Sequence, residues 1–192
     1  MKHNFDIYLV GVGGQGILTI ADLIMRAAEA ENIPANYFPT KGMAQRGGFV
    51  KAQLKLGEET VGPDIRPGGA DLVIAMELSE SLKALRYLKP GGDFVVYGYQ
   101  WQPAEVMLGK APYPTREQVR EQAALAGVNF HYLDPDLLPA GAADNIWLLA
   151  ACLAKTPLGR YIRPGAVKEA ILQRWPQGAE RNMLSFQAGL DV

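Results

Sequence analysis

Residues Phe5 to Ala28, FDIYLVGVGGQGILTIADLIMRAA, constrain the fold more than any other stretch of the chain. Ile7-Tyr8-Leu9-Val10 is a short apolar run that reads as a buried strand. It leads into Gly11-Val12-Gly13-Gly14-Gln15-Gly16, after which a strongly apolar helix begins. The glycines at 11, 13 and 16 have the G-x-G-x-x-G spacing that joins a strand to a helix. Glycines there permit a tight turn and close backbone approach to a ligand, and they leave N–H groups at the positive end of a helix. The natural guest of such a turn is an anionic group such as a phosphate.

A nicotinamide site needs more. It places an Asp or Glu at the end of the second strand, about 20 residues on, to hold the ribose hydroxyls. At that point the chain reads Asn36-Tyr37-Phe38-Pro39-Thr40-Lys41, and the nearest acids, Glu29 and Glu31, belong to the preceding helix. The opening is Rossmann-like without the ribose hook.

The next unusual stretch is Thr40-Lys41-Gly42-Met43-Ala44-Gln45-Arg46-Gly47-Gly48. It has paired glycines, two cations and hydroxyl and amide donors, with almost nothing suited to a core. Loops of this kind carry function on a rigid scaffold, although a plain surface loop has the same composition. Lys41 and Arg46 suit phosphate or carboxylate, Arg through its planar fork. The loop is expected beside the first glycine turn, because both follow strand ends at one edge of a parallel sheet.

Further along, Phe49 to Leu56 alternates apolar and polar residues and reads as a half-exposed strand. Gly57 to Thr60 turns it, and Val61 opens a short segment closed by Gly62-Pro63. A strand directly after a strand breaks β-α-β alternation, so a hairpin or edge insertion is expected. Ala70 to Met76 is a fully buried strand. Ser79 or Ser81 is the expected cap of the next helix, with Leu82, Leu85 and Leu88 as its apolar positions. Glu77 has two readings: a ligand contact at the carboxyl end of a strand, or a carboxylate favouring the helix N-terminus.

Pro90-Gly91-Gly92-Asp93 reads as a turn into the strand Phe94 to Tyr97. From Gln100 to Pro114 the chain is irregular, with room for one edge strand. Thr115 caps a helix to about Ala126, and Val128 to Leu133 returns as a strand. Helices are expected at Ala142 to Ala154, Pro164 to Gln173 and Asn182 to Leu190. The whole chain, 1–192, reads as one α/β domain: a Rossmann-like three-layer fold with a mostly parallel sheet and a helical C-terminal part.

Composition narrows the function. The net charge of -1 leaves no electrostatic footprint for nucleic acid. No apolar run reaches the roughly 18 residues of a membrane span, and no signal-peptide pattern opens the chain, so a cytoplasmic location is expected. The single cysteine, Cys152, cannot supply the thiolates of an iron–sulfur cluster, and its apolar surroundings suit a packed thiol. His3 and His131 show no metal-ligand spacing, and no catalytic residue or metal site is assigned.

With these residues in view, the chain resembles the small, gamma-type component of 2-oxoacid:ferredoxin oxidoreductases. The carriers are Gly11-Val12-Gly13-Gly14-Gln15-Gly16-Ile17 and Gly42-Met43-Ala44-Gln45-Arg46-Gly47-Gly48, with the strand Ala70 to Glu77. Asn145 opening the apolar helix and Phe186 in the closing helix extend the match over nearly the whole chain. The wording Gly-Met-Ala-Gln-Arg-Gly-Gly is most like the indolepyruvate branch, in its beta subunit.

The resemblance implies oxidation of a 2-oxoacid with coenzyme A to acyl-CoA and carbon dioxide, electrons passing to ferredoxin. It also implies that thiamine diphosphate, its magnesium ion and the iron–sulfur clusters sit on a larger partner subunit, and that this chain binds no cofactor and is inactive alone. Gly11, Gly13, Gly14, Gln15, Gly16, Thr40, Lys41, Met43, Gln45, Arg46, Gly47, Gly48 and Glu77 would then border the partner's site, touching coenzyme A or the substrate carboxylate. Three other readings stand beside it. The same loops would serve only to dock the partner, the chain would be a purely structural subunit, or it would be a stand-alone nucleotide-binding module or NADP-dependent reductase.

Overall fold

The computed structural model describes residues 4–39, 48–57 and 64–192. Among these residues one six-stranded sheet runs through the molecule in the order β2-β3-β1-β4-β5-β6. β1 (Phe5–Val12), β4 (Ala70–Ala75), β5 (Leu88–Tyr97) and β6 (Asn129–Leu133) pair in parallel. β3 (Phe49–Leu56) runs against both its neighbours, β1 and β2 (Ala35–Pro39). Five of the six strands therefore point one way, and the glycine turn lies at their carboxyl ends. The fold is α/β with a mostly parallel sheet.

The expected hairpin is present: β2 and β3 pair antiparallel. The inserted strand, however, is internal, because β3 lies between β2 and β1 and leaves β2 at the edge. The reason is visible in its pattern. Ala52, Leu54 and Leu56 are fully buried on one face, which suits an interior strand, while Lys51 and Lys55 project from the other. The segments 40–47 and 58–63 lie outside the described residues, and with them the expected turn over Glu58 to Thr60.

Helices cover the two faces unequally. On the first face α1 (Ile17–Ala30) buries Ile17, Ile20, Leu23 and Ile24, each worth about 1.5–3 kcal/mol once removed from water. It begins at Ile17, after the left-handed Gly16, and Leu18 turns outward at 45% exposure. Beside it lie α5 (Asp144–Lys155), α6 (Leu158–Tyr161), α7 (Pro164–Arg174) and α8 (Glu180–Leu190). In α5 every residue from Ile146 to Leu153 is buried, Cys152 included, and burial pushes its thiol well above the ordinary range. Among the described residues no helix is long and apolar enough to cross a membrane.

On the second face α2 (Leu78–Leu85) and α4 (Arg116–Leu125) pack against β4, β5, β6 and the near side of β1. Thr115 caps α4 in a full capping box with Gln118, as its sequence predicts. Leu88 is the first residue of β5, not the last apolar position of α2. Pro90-Gly91-Gly92-Asp93 is likewise inside β5, where the ladder with β4 slips between Ala70 and Leu72. Gly91 takes φ +76° and its N–H donates to Gly127 O, so the apparent turn is a bulge that keeps the strand paired. The stretch 100–114 holds a short helix, α3 (Ala104–Met107), and no strand.

Candidate functional site

The glycine turn is built from side chains that would not tolerate larger neighbours. Gln15 folds back so that its Oε1 accepts from Val12 N–H at 2.8 Å and its Nε2 donates to Met76 O at 2.7 Å. One amide thus bridges the carboxyl ends of β1 and β4. A Cβ on Gly11 would stand 2.6 Å from that Oε1, so glycine at 11 makes room for the bridge. Gly16 precedes α1 at φ +78°, and a Cβ there would collide with the Asn145 amide in the first turn of α5. Turn and helix bundle are pressed together at this point.

Gly13 N–H donates to Gly48 O at 2.8 Å. That bond brings the end of the second loop to the first, as the sequence expects. Val12 and Phe49 continue the register below it. Gly11, Gly13, Gly14, Gln15, Gly16 and Gly48 are therefore gathered at the carboxyl end of β1, with Glu77 one residue beyond the Met76 carbonyl that Gln15 holds. Thr40, Lys41, Met43, Gln45, Arg46 and Gly47 lie outside the described residues.

Glu77 is fully buried and is itself the cap of α2, in place of Ser79 or Ser81. Its Oε2 accepts from Ser79 Oγ at 2.7 Å and from Glu80 N–H at 2.8 Å. Its Oε1 accepts from Trp101 N–H at 3.1 Å and from the Tyr113 hydroxyl. Burial, and then the bond to this carboxylate, raise the Tyr113 phenol far above its ordinary value. Of the two readings of Glu77, the geometry displays the helix cap, with both oxygens engaged. The carboxylate also fastens the 99–113 stretch to the sheet end.

Asn145, Trp101 and Tyr113 complete this end of the molecule, and local sequence patterns did not assign them there. Asn145 carried a signal as the polar residue opening an apolar helix. Trp101 and Tyr113 carried none, since they meet Glu77 across 24 and 36 residues. Electrostatically, the first turn of α1 holds no acid, so its N-terminal partial charge is unopposed from within the helix. Among the described residues no group of three or more His, Cys, Asp or Glu gathers as a metal site.

The chain belongs to the pyruvate ferredoxin/flavodoxin oxidoreductase family, which it matches over residues 6–192. Among its relatives is the indolepyruvate oxidoreductase subunit IorB of Thermococcus kodakarensis, 32% identical over 97% of this chain and 95% of that one. The subunit IorB of Pyrococcus horikoshii is 33% identical over the same shares. The solved gamma subunit of a keto/oxoacid ferredoxin oxidoreductase from Geobacter sulfurreducens has the same fold. It superposes with a TM-score of 0.63 at 22% identity, over 97% of this chain and 96% of that one.

Proposed function

We propose that this chain is the small subunit of a 2-oxoacid:ferredoxin oxidoreductase whose preferred substrates are indolepyruvate and other arylpyruvates. The observation that carries the reading is the near full-length likeness to two IorB subunits at about one residue in three. The overall reaction takes a 2-oxoacid, coenzyme A and oxidised ferredoxin to acyl-CoA, carbon dioxide and reduced ferredoxin. Thiamine diphosphate, when bound, supplies the carbanion chemistry, and iron–sulfur clusters relay single electrons. This chain's residues do not fit either group. It has one cysteine, sealed inside α5, and its buried carboxylate at the sheet end is saturated by internal donors. Both groups are assigned to a larger partner, and no step runs through them here.

The role left to this chain is to border the partner's site. Gly13 N–H is engaged by Gly48 O and Gln15 N–H by Val12 O, so the backbone N–H groups of Gly14 and Gly16 would face an anionic group, and Arg46, with Lys41, would hold a carboxylate or phosphate of substrate or coenzyme A. Gln15 and Glu77 would keep the turn and the neighbouring strand in place while that happens. Thr40, Met43, Gln45, Gly47 and Gly48 belong to the same loop and the same role. Arg46→Ala in the assembled enzyme is expected to raise the KM for coenzyme A or oxoacid. Unchanged kinetics with intact assembly would remove the ligand role.

The reading as a whole is tested by affinity-purifying the chain anaerobically from its native cells. The eluate would then be assayed for viologen reduction dependent on both oxoacid and coenzyme A. A brown eluate with a large thiamine-containing subunit, turning over arylpyruvates fastest, is expected. A colourless, partner-free protein that binds nucleotide by itself would overturn it.

A further inference from the structure

Sheets of mostly parallel strands are normally covered on both faces. On the second face of this one, helix cover ends at β1: α2 packs against β1, β4 and β5. Beyond it stands the outward row of β3, where Phe49 is 41% exposed and Lys51 and Lys55 are half-buried. Gln53 in the same row is taken up by Ile65 N–H and Asp64, so among the described residues only that part of the face is closed.

Between the β3 row and α2 runs an open groove of about 450 Å³. Its floor is Val10 and Tyr8, the latter stacked on Tyr87 with ring centroids 4.1 Å apart. Its rim carries Lys51, Lys83 and Arg86, and among the described residues no acid lines it. Lys83 is paired with Glu80, but among the described residues Lys51 and Arg86 have no carboxylate partner. Arg86 instead donates to the Tyr87 hydroxyl at 3.1 Å and lies 5.0 Å from the centre of that ring. Two cations without an acidic partner among the described residues, on a chain whose net charge is -1, are a local excess of positive charge. The groove is open to solvent, whereas a small-molecule site normally buries most of its ligand's surface. The upper end at Phe49 adjoins Gly48 and Gly13, so the groove continues from the glycine-turn end of the sheet.

We propose that this groove docks an acidic segment of the larger subunit, with carboxylates on Lys51 and Arg86 and an apolar side chain over Tyr8 and Tyr87. The proposal rests on the subunit reading above and adds to it the face by which assembly occurs. Charge complementarity is the argument for the occupant: opposed rims of this kind set register and speed encounter between partners. Assembly should accordingly weaken as salt rises.

The test uses the purified larger subunit and this chain, titrated at low and high salt, with the double variant Lys51→Glu/Arg86→Glu. Both side chains reach solvent, so the variant should keep the wild-type Tm, which is measured alongside. Expected is a dissociation constant raised by about tenfold or more at low salt, with a flatter salt dependence; Lys51→Gln/Arg86→Gln should fall between. A reversal variant that assembles with wild-type affinity and salt slope overturns the proposal. So does one that assembles normally but loses binding of coenzyme A or inorganic phosphate, which would make the groove a small-anion site. Failure of the wild-type chain to bind any thiamine-containing subunit would take down the functional reading as well, and is told apart by needing no variant.

Discussion

The two faces of the sheet solve the same problem differently. On the first, α1 lies on a continuous floor of Ile7, Leu9, Leu54 and Leu72, with α5, α7 and α8 packed around it, and the interior is closed by the chain's own residues. On the second, a smaller core of Val10, Val73, Phe94 and Val119 is closed by α2 and α4, and it stops short of β3. Even the polar groups differ. The first face keeps aromatic edges together, as where Tyr97 meets Trp147 at 6.1 Å, whereas the second carries the buried Glu77 and its four donors. The contrast teaches that stability and accessibility are divided between faces: one side holds the fold, and the other leaves surface for something else.

That division can be broken most sharply on the closed side. Ile24→Ala in α1 is expected to cost about 3–4 kcal/mol, since a fully buried aliphatic leaves both lost transfer energy and a cavity. Urea denaturation gives the number, and a loss below about 1 kcal/mol would mean that this face repacks freely. Glu77→Ala should follow at about 2–3 kcal/mol, because it strands buried donors from Glu80, Trp101 and Tyr113 at once. Limited proteolysis should then cut within 99–113 first; an unchanged cleavage pattern would show that Glu77 does not fasten that stretch.

On the thinner core Val119→Ala is expected to cost about 1–2 kcal/mol, and a loss equal to that of Ile24→Ala would erase the distinction between faces. Alkaline titration reaches the closed side by another route. Burial, and then the nearby Asp144 charge, push the Tyr97 phenol up to about 12. The unfolded phenol ionises near its ordinary value while the folded one holds its proton. Stability from this group is whole below about pH 10 and drains as pH rises toward 12. Tyr97→Phe should flatten that decline in thermal melts across the alkaline range. Smallest of all, Lys55→Ala on the open face should change stability by no more than about 0.5 kcal/mol; a large loss would mean that the face is not free surface.

The sequence made much of this legible where the signal was local. The strand–glycine–helix unit, the alternation in Phe49 to Leu56 and the Thr115 capping box each depend on neighbours a few residues apart, and each is present. Alternation even announced the half-open face, since Lys51, Gln53 and Lys55 of the outward row are suited to water. What could not be read was set by distant partners. Glu77 takes the α2 cap from the serines because Trp101 and Tyr113 bury it. Leu88 leaves the helix for β5 because its backbone pairs with Ala70. β3 moves inward from the edge because sheet order depends on which apolar row finds α1, a choice no single segment encodes.

The bond from Gly13 to Gly48 has a consequence for how such chains diversify. It joins main chain to main chain, so it does not depend on any side chain between β2 and Gly48. The segment 40–47 is thus inserted between two fixed posts, the paired end of β2 and the latch at Gly13. The frame at its two ends is set by backbone bonds, which any sequence can make, rather than by the identity of a side chain.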